Sequence, residues 1–441
     1  MDPPPRLIPL DEAPIWQLDG GVDTTAPREP HQWKARSVTD LVELYKACWN
    51  ETTRTFDGVP FDVKGYQKYL NEYFSNFPII LKSENAGYVE KKLLPVGTEI
   101  FVRADLHGDL KTLIENLSAL QDQGLLDEHF RCLDHLQMVF LGDYMDRGEY
   151  CVHVLQLLLA LRIENPANVT LIRGNHEEVS MNRDFGRADL HLKQLLESSD
   201  GRMDLQIVYQ TLPLAAYFAV NKLDKQYVQF AHGLFELHVD LFSLLSSSTE
   251  YETFDIPHNG ELSSRVAQLM LESPKEASIN RQLRLKNGAT RIASLLEQHR
   301  TAVKKDPLAR LSPYNWGDMQ DENEATLIED IGLRKWLLHP TDVKHYFNVN
   351  SPIKAVRLKL LFRGHEHIKQ NHFAGKKIVA ITLPTGTSVA WAQASYPNQF
   401  DEAYVLKMQP KVKDWTKTSY FRFSSTSTTY VTMPKPIREA E

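Results

Sequence analysis

Five short stretches of the chain collect the residue types that hold hard and borderline cations: Asp105-Leu-His107-Gly-Asp109, Gly142-Asp143-Tyr-Met-Asp146-Arg147-Gly148, Gly174-Asn175-His176-Glu177, His232-Gly233 and Gly364-His365-Glu366-His367. Carboxylate, imidazole and amide donors without a thiolate suit Mn, Fe, Zn or Mg and argue against Cu(I) or an iron–sulfur cluster. The set is too large for one tetrahedral zinc ion. Two ions ~3.5–4 Å apart, bridged by a carboxylate, form a clamp that holds both the attacking and the leaving oxygen of a phosphate ester; Asp143 is the candidate bridge. Counting the carboxylates of Asp105 and Asp143 against two divalent ions leaves a surplus of positive charge that suits a phosphate dianion. A neutral ligand such as Asn175 preserves that surplus, whereas another carboxylate would cancel it.

Each stretch follows an apolar run of strand character, at 99–103, 136–141, 169–173, 227–231 and 358–362. Helical spacing at 109–120 and 152–161 separates the first three runs. Strand, helix, strand, helix, strand predicts a parallel sheet, and in α/β sheets sites form beyond the carboxyl ends of the strands. The glycine in each stretch permits a tight turn and close backbone approach. Further runs at 378–383 and 404–408 are each long enough for one strand.

Upstream, residues 1–35 carry Pro3, Pro4, Pro5, Pro9, Pro14, Pro27 and Pro30, a density that disfavours helix and central strand and predicts an extended arm. Leu41, Leu44, Tyr45, Cys48 and Trp49, and again residues 66–74, recur at helical spacing, so 36–98 reads as a helical N-terminal section. Between about 240 and 312 the apolar residues Leu262, Val266, Leu269 and Met270, then Leu283, Ile292, Leu295 and Leu296, predict an inserted helical hairpin. Residues 411–441 are rich in Ser and Thr and read equally as a β pair or a loose tail.

The 441 residues carry 50 Lys+Arg against 57 Asp+Glu, a formal charge of −7, which excludes a basic nucleic-acid coat. An apolar fraction of 42% is ample for a sizeable core. Three cysteines, Cys48, Cys132 and Cys151, are too few and too odd in number for a disulfide framework and point to a reducing compartment. The N-terminus lacks a secretory pattern, and apolar runs such as 154–161 are far shorter than a membrane span. A cytoplasmic protein is expected; export into a host cell is compatible with this, although no signal for it is visible.

Taken in order, Asp-x-His-Gly, Gly-Asp-x-x-Asp-Arg-Gly and Gly-Asn-His-Glu, followed by His-Gly and by Arg-Gly-His at 363–365, resemble the signature motifs of the metal-dependent phosphoprotein phosphatase (PPP) family of calcineurin-like phosphoesterases. Any one of these motifs is weak evidence; together and in order they are specific. The resemblance spans residues 99 to about 408 and implies an α/β fold, a metallophosphoesterase β-sandwich flanked by helices, in a domain of residues 99–410. It implies two divalent ions, Mn, Fe, Zn or Mg, with Mn expected in vitro. Asp105, His107 and Asp143 would hold one ion, and Asp143, Asn175, His232 and His365 the other. His176 would give a proton to the leaving oxygen with Asp146 as its partner, Arg147 would grip phosphate through its guanidinium fork, and Asn175 would lie against substrate. An alkoxide leaving group needs that proton, and a carboxylate beside the imidazole keeps its pKa useful next to two cations. The implied activity is hydrolysis of phosphoserine and phosphothreonine in proteins by a hydroxide that the two ions activate.

The chain departs from the family pattern at several points. Ala104 stands where Gly is usual, Asp109 where Gln is usual, and a single Gly follows His232. The Asn-Asp-Arg-Gly segment that carries a second phosphate arginine is missing; Trp316-Gly317-Asp318 marks the corresponding loop and Arg334 is the candidate. Leu383-Pro-Thr-Gly-Thr replaces the Ser-Ala-Pro-Asn-Tyr loop, which leaves phosphotyrosine open as a substrate and suggests a divergent member of bacterial effector type. Plainer roles fit other residues. Asp109 precedes a helix and is expected to cap it, Glu177 to support its loop through hydrogen bonds, and Arg173 and Arg363 to pair with acidic loops. His367 is an alternative ligand, because broader metallophosphoesterases end in Gly-His-x-His. The insert reads as a solvated face or as an arm for a protein partner. Two rival functions remain: a nucleotide or dinucleoside polyphosphate hydrolase, and an inactive scaffold binding partners through the insert. Retention of the ligands together with His176 and Arg147 speaks against the scaffold.

Overall fold

The computed structural model describes residues 37–53, 55–61, 63–77, 86–95, 98–133, 135–219, 225–234, 241–255 and 356–365, with further short strands between 317 and 432. The helices are α1 (Val38–Cys48), α2 (Val63–Asn76), α3 (Leu110–Asp122), α4 (Cys151–Glu164), α5 (Val179–Phe185), α6 (Leu190–Glu197), α7 (Ser199–Gln210) and α8 (Leu241–Ser246). The strands are β1 (Trp49–Asn50), β2 (Thr55–Phe56), β3 (Ala86–Leu93), β4 (Glu99–Arg103), β5 (Leu136–Phe140), β6 (Val169–Leu171), β7 (Ala215–Ala219), β8 (Lys225–Ala231), β9 (Tyr251–Asp255), β10 (Gly317–Met319), β11 (Trp336–Leu338), β12 (Val356–Arg363), β13 (Ala380–Thr382), β14 (Ser388–Trp391), β15 (Glu402–Met408), β16 (Trp415–Phe423) and β17 (Thr428–Thr432).

Two mixed sheets face one another. One has the order β13-β14-β12-β8-β7-β3-β9, the other β17-β16-β15-β4-β5-β6. Strands β4, β5 and β6 run parallel, as the strand–helix alternation requires, and β8 and β12 run parallel in the opposite sheet. The two-residue period of a strand decides what each side chain packs against. Ile100 and Val102 of β4 and Val139 of β5 turn toward Phe218, Val228, Phe230 and Phe362 of the other sheet. The intervening Phe101, Met138 and Phe140 turn outward onto the helices. Both faces of β5 are thus buried, which is why all of its residues but Gln137 are apolar.

The outer layer is organised by α4. Residues 151–162 of this helix are all buried, and α4 packs against α1 and α2, so a helix apolar on every side is here a core element. Helix α1 starts at a capping box in which Asp40 N donates to Ser37 Oγ at 3.1 Å and Ser37 N to Asp40 Oδ2 at 2.9 Å. Asp109 caps α3, accepting from Thr112 N at 3.1 Å.

Three elements differ from their sequence reading. Strand β3 lies within the section read as helical, because Glu90, Lys91 and Lys92 mask its alternation; Glu90 and Lys91 are buried and Lys92 half-buried, with Lys92 Nζ 3.0 Å from Glu90. The sandwich therefore begins before residue 99. The first part of the span read as a helical hairpin holds α8 and then β9, which pairs antiparallel with β3. Of the tail's two readings the β pair is found, since β16 and β17 extend the β15 edge. The rest of the insert to 312, the arm at 1–35, Arg334, Glu366 and His367 lie outside the described residues. Among the described residues no helix is long and apolar enough to cross a membrane.

Candidate active site

All five ligand-bearing stretches leave carboxyl ends of strands, three from one sheet after β4, β5 and β6 and two from the other after β8 and β12. Hydrogen bonds fasten these loops to one another. Leu106 N and His107 N both donate to Asp143 O, at 2.9 and 2.8 Å, and Gly364 N donates to His232 O at 3.0 Å. His365 N donates to Asp105 Oδ1 at 3.1 Å, a link across 260 residues and between the two sheets. Gly364 has no room for a side chain: a Cβ there would lie 2.5 Å from Asp105 Oδ1.

The backbone is strained where the chemistry is. His107, Asp143, Asp146, Arg147 and His365 have φ of 45°, 54°, 71°, 68° and 68°. Among the described residues only Phe130 shares this trait outside the glycines. Left-handed φ costs a non-glycine residue roughly 1–3 kcal/mol and persists where surrounding structure enforces it. Here it turns side chains from three of the five loops into one pocket.

Two groups of donors result, His107 with Asp143 and His176, and Asp143 with His232 and His365, each with its ligand atoms within 4.8 Å of one another. Asp143 belongs to both. Asp105 completes the wall, 3.6 Å from His232 Nδ1. His232 Nε2 lies 2.9 Å from Asn175 Oδ1, 3.2 Å from His365 Nδ1 and 3.2 Å from Asp143 Oδ2. The structure thus brings together Asp105, His107, Asp143, Asn175, His176, His232 and His365.

The imidazole tautomers follow from their neighbours. A carbonyl only accepts, so His107 donates Nδ1–H to Met145 O at 2.8 Å, and His232 donates Nδ1–H to Leu141 O at 3.0 Å. Both Nε2 atoms then face the pocket, the arrangement that backbone carbonyls impose on metal-binding histidines. Burial pushes His107 down to about 3, which keeps it a neutral donor. Burial also works against charge on His232, but the Asp143 and Asp105 carboxylates prevail and push it up to about 9. Asp143 in turn lies well below the usual carboxylate range, since His232, His176 and His107 outweigh its burial. Positive charge belongs among these atoms, carried by a proton on Nε2 or by a cation in its place.

Beside the donors, His176 Nδ1 lies 2.7 Å from Asp146 Oδ2 and His176 Nε2 lies 3.1 Å from Arg147 Nη2. A guanidinium only donates, so Nε2 accepts there and the ring proton sits on Nδ1, given to Asp146. Burial opposes charge on His176, yet Asp143 and Asp146 together raise its pKa above the ordinary value. Phe185 packs edge-on to the His176 ring, with centroids 5.7 Å apart.

Glu177 holds the pocket in shape. It is fully buried; Oε2 accepts from Asp143 N at 2.7 Å and Gly174 N at 2.8 Å, and Oε1 from Tyr144 N at 2.9 Å and Met145 N at 3.3 Å. Both oxygens therefore face donors. Glu177→Gln is expected to set an amide N–H against backbone N–H groups and cost about 1–3 kcal/mol of stability, measured by urea unfolding, with metal affinity falling about 10–100-fold because Asp143 loses its anchor. Arg173, read as a structural partner, donates Nε–H to Glu177 O at 3.2 Å. Asn182, which the motifs do not mark, donates to Asp146 Oδ1 at 2.9 Å. No local sequence signal marks it, since Ser180, Arg183 and Asp184 of the same helix are polar too.

The family model for calcineurin-like phosphoesterases matches residues 98–369. Over 97 residues the chain is 35% identical to serine/threonine-protein phosphatase PP1-1 of Saccharomyces cerevisiae, covering 22% of this chain and 28% of that protein. Over 100 residues it is 37% identical to serine/threonine-protein phosphatase BSL2 of Arabidopsis thaliana, covering 22% of this chain and 9% of that one. The match spans less than a third of the length of either relative. A solved protein serine/threonine phosphatase from Saccharomyces cerevisiae, with similarity to human phosphatase PP5, superposes with a TM-score of 0.47 at 15% identity, over 86% of this chain and 92% of that one. A cold-active protein-tyrosine phosphatase of a psychrophile, Shewanella sp., superposes with a TM-score of 0.36 at 14% identity, over 78% and 82%.

Proposed function

Since this chain belongs to the calcineurin-like phosphoesterase family, we propose that it is a metal-dependent protein phosphatase acting on phosphoserine and phosphothreonine esters. One observation carries the reading: a single buried carboxylate, Asp143, is common to two adjoining donor groups. That is the requirement for two neighbouring cations. The donors fit such ions in kind, being imidazole, carboxylate and amide, and in protonation, since His107 and His232 direct Nε2 inward.

In this reading Asp105, His107 and Asp143 hold one divalent ion, and Asp143, Asn175, His232 and His365 the other. When bound, the ions supply Lewis acidity and offset the charge of the phosphate. The chain does the rest. Arg147 binds two phosphate oxygens through its fork. In doing so it leaves His176 Nε2, which is then able to carry a proton and donate it to the departing serine or threonine oxygen, while Asp146 stabilises the imidazolium through Nδ1. The names of the matched relatives support a phosphoprotein substrate, and three free thiols, Cys48, Cys132 and Cys151, support a reducing, cytoplasmic setting.

The test joins metal removal to a substrate panel. Protein dialysed against a chelator is expected to lose at least about 10²-fold in activity toward a phosphoserine peptide, since Lewis-acid stabilisation is worth several kcal/mol, and to recover it with Mn²⁺. Preference for nucleotides or dinucleoside polyphosphates over phosphoserine, phosphothreonine and phosphotyrosine peptides would replace this assignment by a nucleotide hydrolase. Inactivity toward all of them, with ions bound, would leave the scaffold reading.

A further inference from the structure

We propose that Asn182 and Tyr209 are positioning residues for the His176–Asp146 pair, holding the carboxylate in the orientation from which it aims the imidazole at the leaving oxygen. This rests on the functional reading above and concerns how its proton delivery is kept in place.

A continuous line of hydrogen bonds runs from α7 through α5 to the imidazole. The Tyr209 hydroxyl donates to Asn182 Oδ1 at 2.8 Å, Asn182 Nδ2 donates to Asp146 Oδ1 at 2.9 Å, and Asp146 Oδ2 receives the His176 Nδ1 proton at 2.7 Å. The same Asn182 Nδ2 donates to His176 O at 2.8 Å, so one amide grips both members of the pair, one by its carboxylate and the other by its backbone. All four residues are buried, none more than 2% exposed. The amide has a single orientation, because the two atoms facing Nδ2 only accept and the phenol facing Oδ1 donates. Burial raises the Tyr209 pKa well above its ordinary value, so the hydroxyl keeps its proton across the working pH range.

The device answers a need of this loop. Asp146 and Arg147 both sit at left-handed φ, 71° and 68°, which a non-glycine chain segment leaves unless it is held. Each Asp146 oxygen has one duty in the line: Oδ2 faces His176 and Oδ1 faces Asn182. Removing the amide would leave Oδ1 buried without this donor and let the carboxylate turn, and a small misplacement of a catalytic group is enough to reduce turnover. Tyr209→Phe keeps the ring and deletes only the donor that fixes the amide.

The test uses leaving groups of different need. Wild type, Asn182→Ala and Tyr209→Phe, loaded with Mn²⁺, would be compared on 2,4-dinitrophenyl phosphate, whose phenolate departs without a proton, and on phenyl phosphate and a phosphoserine peptide, whose oxygens require one. On the last two, kcat is expected to fall about 10–10²-fold in Asn182→Ala and about 3–10-fold in Tyr209→Phe, a fraction of the ~10²–10⁴ that general acid catalysis supplies. On the dinitrophenyl ester the fall is expected to be about twofold at most, with KM and metal content as in wild type. An equal fall on all esters, a change confined to KM, a loss of metal or no change at all would overturn the proposal; the Tyr209→Phe protein decides it if Asn182→Ala does not fold. Wild type inactive on every ester would instead remove the functional reading, and this inference with it.

Discussion

Asp143→Asn is expected to lower turnover of a phosphoserine peptide by on the order of 10³-fold or more, because several kcal/mol of charge stabilisation depend on the shared carboxylate. The loss should be accompanied by loss of bound metal from both donor groups, since this residue is common to His107 on one side and His232 and His365 on the other. Purified mutant protein analysed for metal should hold far less than one ion per chain under conditions in which wild type holds two. The fold should persist, because Asn Oδ1 can still accept from His176 N, a bond of 3.0 Å in wild type. The ion-free proteins should also differ in their stability against pH. His232 has its pKa raised from 6.5 to about 9 by Asp143 and Asp105 against its burial, so the stabilisation it receives is complete below pH 6.5 and fades as pH rises through about 9. Asp143 has its pKa depressed, so its share is present above the ordinary carboxylate range and is lost on acidification. In Asp143→Asn much of the alkaline fade should be absent, as read from urea midpoints between pH 6 and 9.5. Full activity and full metal content in the mutant would end the two-ion reading.

Why so much of this site was readable, and the remainder not, has a physical basis. A ligand must stand on a fixed backbone, and the cheapest fixed point is the end of a buried strand. Asp105, Asp143, Asn175, His232 and His365 are therefore each preceded by a run whose apolar residues both sheets and helices consume, as in β5 with Met138 and Phe140 on one face and Val139 on the other. Such runs are visible in one dimension. The same holds for Asp109, whose capping role depends on residues three positions away. Strand β3 was hidden because its paired charges, buried Glu90 with half-buried Lys92, satisfy one another and break the polar–apolar alternation that marks a strand. Asn182 and Tyr209 were hidden for another reason. Their partners are other side chains, 36 and 27 residues away, and a bond of that kind leaves no local pattern. Asp189 is of the same type: it caps α6 through His191 N and Leu192 N, which is local, and it also accepts from Val152 N in the first turn of α4, which only the fold reveals.

His176→Asn is the second large effect, and it separates two roles that the geometry allows this histidine. His176 falls within the donor group of His107 and Asp143, yet it also forms a pair with Asp146 at 2.7 Å and touches Arg147 at 3.1 Å. A proton donor and a metal ligand predict different mutants. If His176 gives the proton, kcat toward a phosphoserine peptide should fall about 10²–10⁴-fold, the range of general acid catalysis, while metal content stays that of wild type. Were it a ligand, metal would be lost together with activity. The pH profile adds a second criterion. A donor must be protonated, so wild-type kcat should decline as pH rises through the His176 pKa, which Asp143 and Asp146 hold above 6.5 against burial. Ions placed on Asp143 would weaken that carboxylate's share and leave Asp146 as the main support, which is why the Asp146 contact, and not the Asp143 charge, is the one to preserve. In His176→Asn this alkaline limb should disappear, leaving a low and nearly flat profile over the same pH range. A mutant that keeps both its metal and the wild-type limb would show that another group supplies the proton.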